Sequence, residues 1–95
     1  MRGLPMLVRN MYQSALAKHS SHGGRGLAAG ATLFDGAEFK SGLRFINYTE
    51  LDPGVSIGYH AHGRDEEVYV ILEGGGEMTV DGETRRVGRG DVIVN

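Results

Sequence analysis

Two histidines one residue apart, His60 and His62, and an acid shortly after them, Glu67, are the side chains of this 95-residue chain best placed to do chemistry together. On a strand, residues i and i+2 point to the same side, about 6.5–7 Å apart along the backbone. Two imidazoles at that spacing can converge on one cation. Residues 63–66 (GRDE) read as a turn, and an antiparallel neighbour beyond it lies about 4.7–4.9 Å away, so a carboxylate that opens this neighbour can reach the same ion. Two neutral imidazole nitrogens and one carboxylate suit Fe(II), Mn(II), Ni(II), Cu(II) or Zn(II). With three protein ligands, such an ion keeps open positions for water, dioxygen or a substrate oxygen. A His-x-His pair by itself is also what an exposed polar strand face looks like, so the elements around it decide its meaning.

Those elements are strands. Residues 27–34, 42–51, 55–62, 67–73, 77–80, 83–87 and 91–95 are apolar at a period of two or rich in β-formers. Turn signals separate them: Asp35-Gly36, Asp52-Pro53-Gly54, residues 63–66, Gly74 to Gly76, and residues 88–90. Asp81-Gly82 between two short strands is the signature of a two-residue hairpin. Short strands at such spacing predict an all-β sandwich or barrel. Residues 67–73 are apolar on both faces beyond Glu67, so both faces need cover. A barrel interior supplies one cover. A second sheet, the N-terminal part or another copy of the chain supplies the other, and a homodimer is expected. Residues 1–26 read as an N-terminal arm and residues 27–95 as the barrel domain. Within the arm, residues 10–18 fit either a short helix capped by Asn10 or an extended stretch packed on the sheet.

Composition narrows the function. The net charge is -2, which argues against a nucleic-acid partner. Residues 1–48 carry a net +4 and residues 49–95 a net -6, which is either two solvated faces or two parts that attract each other. There is no cysteine, hence no disulfide scaffold and no thiolate metal site. The 16 glycines match a turn-rich β fold. The apolar stretch at residues 4–8 is too short for a signal peptide or a membrane span, so a cytoplasmic protein without a membrane partner is expected. No P-loop, dinucleotide fingerprint, nucleophile elbow or repeat is present.

Residues 54–74 read G-VSIGY-H-A-H-GRDE-E-VYVILE-G. This run resembles the first motif of the cupin family, G(X)5HXH(X)3-4E(X)6G, at every fixed position, and the spacing to Gly74 selects Glu67 over Glu66. The resemblance implies a β-jelly-roll barrel, a divalent transition metal held by His60, His62 and Glu67, and commonly a homodimer. It permits a small metal-dependent enzyme (dioxygenase, isomerase or decarboxylase) acting on an oxygen-rich small molecule. That enzyme is the leading expectation; the alternatives are a non-catalytic module that binds or senses a small ligand, or an incomplete cupin with a partial site. The second cupin motif, G(X)5PXG(X)2H(X)3N, is not matched: Gly88 stands at its proline and Ile93 at its histidine. The barrel is therefore expected to be incomplete near residues 92–94, and the last ligand is left to His22, a partner chain, water or nothing. His19 and His22 otherwise read as exposed loop histidines. Arg44 is the candidate for a substrate carboxylate if it faces inward. Tyr48, Tyr59 and Tyr69 read as packing residues or pocket walls, Glu66 as a turn acid, Arg85 and Arg86 as a solvated hairpin, and Met6, Met11 and Met78 as packing.

Overall fold

The computed structural model describes residues 6–58 and 65–95. Alternating apolar residues interrupted by Asp-Gly and Pro-Gly pairs leave little for a helix to use. Strands accordingly make up nearly all the regular structure: β1 (Ala17–His19), β2 (Ala28–Asp35), β3 (Phe45–Glu50), β4 (Val68–Val70), β5 (Gly75–Val80), β6 (Glu83–Gly88) and β7 (Val92–Val94). Among the described residues they form three separate antiparallel sheets, none of them closed into a barrel, in two compact units, Met1–His60 and Ala61–Asn95.

The first unit holds the sheet β1-β2-β3. β2 is its centre, pairing residues 28–30 with β1 and residues 29–35 with β3. The register slips between Thr32 and Phe34, so Leu33 is the extra residue of a bulge. Its side chain turns inward and is 6% exposed, and its carbonyl accepts from Arg9 Nη1 at 2.8 Å. Leu33 and Ala28, 1% exposed, are the buried apolar side chains among the described residues. Arg9 also makes a two-toothed ion pair with Glu38 (2.9 and 2.6 Å) and lies 4.6 Å over the Phe34 ring, tying the N-terminal stretch to β2. Its guanidinium holds the Glu38 carboxyl below the usual carboxylate range. Glu38 closes a capping box with Asp35 on the one-turn 3-10 helix Gly36–Glu38, where the sequence signals a turn.

Residues 10–18 do not form a helix. Asn10 caps a single 3-10 turn, Met11–Gln13, by accepting from the Tyr12 N–H at 2.9 Å, and the chain then runs extended into β1. Starting a helix fixes several residues for one hydrogen bond, whereas β1 gains a ladder to β2 for every residue it orders. Residues 55–58, expected in a strand, are irregular, and the rest of that stretch lies outside the described residues. Pro53 and Gly54 turn as expected, with Gly54 at φ 85 and the Val55 N–H on the Asp52 carbonyl. Met6 is exposed rather than packed.

The second unit holds two ribbons. β5 and β6 form the Asp81-Gly82 hairpin, with Val80 opposite Glu83 and φ of 49 and 78 at the two turn residues. Two positive φ values match the twist of the flanking strands, and aspartate and glycine tolerate them best. Of the glycines at 74–76, Gly74 turns, whereas Gly75 and Gly76 are the first residues of β5 and pair with Gly88 and Val87. Three glycines in a row do not say where the ladder begins; the partner strand does. β4 pairs with β7, and backbone bonds prolong the ladder to Glu67 and Asn95 at one end and to Ile71 and Asp91 at the other. One face of this ribbon carries Val68, Val70, Val92 and Val94, exposed at 57–63%. The opposite face carries Glu67, Tyr69, Ile71, Ile93 and Asn95, all half-buried. Among the described residues, no helix is long and apolar enough to cross a membrane.

Candidate metal centre

Of the three expected ligands, Glu67 is described, whereas His60 and His62 lie outside the described residues, as does Tyr59. Glu67 immediately precedes β4. Its backbone N–H and carbonyl exchange 2.9 Å bonds with those of Asn95, which fixes it opposite the residue after β7. Tyr69 stands two residues on, on the same face, and its hydroxyl donates a short hydrogen bond to Glu67 Oε2. The carboxylate is thus aimed from two directions, by the ladder beneath it and by the phenol beside it. Burial, this hydrogen bond and the Glu67 charge push the Tyr69 hydroxyl up to about 12, against an opposing hydrogen bond from Asn95. Tyr69 therefore keeps its proton at neutral pH and acts as a donor. Reading Tyr69 as packing missed this role, although the i, i+2 spacing from Glu67 is visible in the sequence.

Ionisation of Tyr69 can be read directly. Because its folded value lies above the usual 10, the protonated hydroxyl contributes stability below about pH 10, and that contribution disappears as the pH climbs through about 12. In Glu67→Gln the charge is gone and the hydrogen bond is weaker, while burial remains. One tyrosine's ultraviolet ionisation step should then move part of the way from about 12 toward 10. An unchanged alkaline titration would show that Glu67 does not hold the phenol.

The other candidates lie elsewhere. His19 sits exposed in β1 with Nδ1 3.3 Å from the Ala17 carbonyl. His22 is exposed with φ 51, and its main chain lies against Gly58. Arg44 is exposed just before β3, with its carbonyl against Gly36. Glu66 is exposed. Tyr48 donates to Glu50 at 2.7 Å and packs edge-on against Tyr12; that hydrogen bond and partial desolvation raise its hydroxyl to about 12. An open crevice of about 560 Å³ lies between the N-terminal stretch and β2, lined by Arg9, Asn10, Gln13, Thr32, Asp35 and Glu38, none of them a motif residue. Among the described residues, no three His, Asp or Glu side chains gather to hold a metal ion.

With this geometry in place, the comparisons with known proteins define the class. The family model described as "Cupin domain" matches residues 47–94, about half the chain. An oxalate-binding protein of Thermotoga maritima is 30% identical over 90 residues, a stretch that covers 95% of this chain and 74% of that protein. No solved structure matches. The chain belongs to the cupin family, with the all-β architecture of that family; among the described residues its sheets do not close.

Proposed function

We infer that the chain holds a divalent transition metal through His60, His62 and Glu67 and uses it to bind a small oxygen-rich ligand, a dicarboxylate such as oxalate in the first instance. The observation that carries this reading is Glu67: a half-buried carboxylate aimed by Tyr69 and by its ladder to Asn95, at the motif spacing from two histidines. The donor set fits the group. Imidazole and carboxylate together suit Fe, Mn, Ni, Cu and Zn, and a hydrogen-bonded ligating carboxylate is the usual support for such sites. When bound, the metal supplies a Lewis acid for carboxylate or carbonyl oxygens. The chain's own part is to orient the carboxylate and keep the phenol protonated beside it. Beside the carboxylate, the Tyr69 hydroxyl is the donor that holds Glu67 Oε2 in place. The relative's description as an oxalate-binding protein supports the ligand class. A homodimer belongs to this reading, supported by the exposed valine face of β4 and β7.

Calorimetry with oxalate tests the ligand class. Oxalate should bind the Mn(II)-loaded protein at about one per chain and should lose at least tenfold in affinity when the metal is removed. Acetate, which offers one carboxylate, should bind the loaded protein more weakly. Equal oxalate binding with and without metal, or none in either state, would defeat the proposal.

A further inference from the structure

In the first unit, two glycines meet where residues 21–25 cross residues 55–58. The Ser56 N–H donates to the Arg25 carbonyl at 2.9 Å, and the Arg25 N–H returns a bond to Ser56 Oγ at 2.8 Å. The Ser21 carbonyl accepts from both Gly24 and Gly58, each at 2.9 Å. The two backbones are in such close contact that neither glycine has room for a side chain. A Cβ on Gly24 would stand 2.7 Å from the Gly58 nitrogen and overlap the Ser56 carbonyl. A Cβ on Gly58 would stand 2.9 Å from the Gly24 nitrogen and overlap the His22 carbonyl. Neither glycine has a left-handed φ, so what the site demands is space rather than a special conformation. His22, whose carbonyl lies against Gly58, takes the φ of 51 that few non-glycine residues adopt.

Gly58 stands two residues before His60 in the chain, a span of at most about 7–8 Å. We propose that this crossing is a positioning device for the metal site: residues 21–25 grip residues 56–58 and so set where the His60-x-His62 segment begins, which makes Gly24, Ser56 and Gly58 positioning residues for the ion. The inference rests on the metal reading proposed for His60, His62 and Glu67. It assigns a function to the Ser/Gly-rich stretch, which otherwise reads as a connector. Backbone supports of this kind matter because a ligand displaced by a fraction of an ångström no longer meets the ion at its preferred distance and angle.

Cobalt(II) titrated into the whole chain reads affinity and, through its visible absorption bands, donor geometry. Gly58→Ala and Gly24→Ala should weaken Co(II) binding by about 10–100-fold, the range for partners that support ligands rather than touch the ion. Both should also alter the bands. Gly42→Ala, in the same unit and with nothing within 4 Å of the added Cβ, should leave affinity and bands unchanged. A role confined to holding the unit together would lower the melting temperature yet leave the bands and affinity of the folded protein as they were; that result overturns the proposal. Should either alanine variant fail to fold, Ser56→Ala removes only the hydroxyl that receives the Arg25 N–H, and the same two outcomes decide. A native chain that binds no cobalt defeats the metal reading and this inference together. A native chain that binds, with crossing variants that match it, defeats this inference alone.

Discussion

Metal content of the purified, metal-loaded chain should fall from about one ion per chain to near zero when His60 is replaced by alanine. The expected loss in affinity exceeds about 100-fold, because removing a ligand must cost more than disturbing a group that merely supports one. His60 and His62 bracket one residue, as two donors on one side of an extended segment must. Glu67 comes at the interval the family motif requires, and the structure holds its carboxylate on the half-buried face of the β4–β7 ribbon, under the Tyr69 hydroxyl. Removing one imidazole leaves two donors, too few to compete with water for an ion of this kind. His19→Ala is the control: that side chain sits in β1 with its ring nitrogen near the Ala17 carbonyl, and its loss should leave the metal content unchanged. Elemental analysis that finds equal metal in His60→Ala and the native chain would refute the ligand assignment.

Chelation should lower the melting temperature of the native chain by about 10–20 °C and leave that of His60→Ala nearly where it was. The size comes from linkage. A ligand held at about 100 times its dissociation constant stabilises the folded state by about 2.7 kcal/mol. For a domain of this length each kcal/mol is worth about 4–8 °C. The effect should stand out here because the described residues of a single chain bury little apolar surface. Ala28 and Leu33 are the buried apolar side chains among the described residues, and the valines of β4 and β7 face outward. A weakly buried glycine-rich chain retains a small margin between burial and conformational entropy, so an ion that binds only the folded form shifts the balance visibly. Scanning calorimetry with and without EDTA makes the measurement. Melting temperatures that agree within about 2 °C would mean that metal binding and folding are not coupled.

The fold was legible where local chemistry alone sets the backbone. Asp81-Gly82 forms the expected hairpin because two positive φ values in succession are available to few residue pairs. Pro53-Gly54 turns for the same kind of reason. Asn10 caps as its type suggests, but it caps one turn that gives way to a strand, since a helix must offset its nucleation cost locally while β1 is stabilised by β2. The three glycines at 74–76 show the same limit: glycine permits a turn and also permits a strand, and pairing with Val87 and Gly88 places two of them in β5.

For the site, residue types and their spacing were enough to read the family and to propose a donor set, because what a ligand can do depends on the atoms its side chain carries and on their intervals along the chain. Which distant groups meet became visible in the folded chain alone: Asn95 paired across from Glu67, Arg9 closed on Glu38, and Gly24 pressed against Gly58. Those contacts depend on strand register and on backbones approaching closely enough to exclude a side chain. Both are set by the partner segment, and no local pattern encodes them.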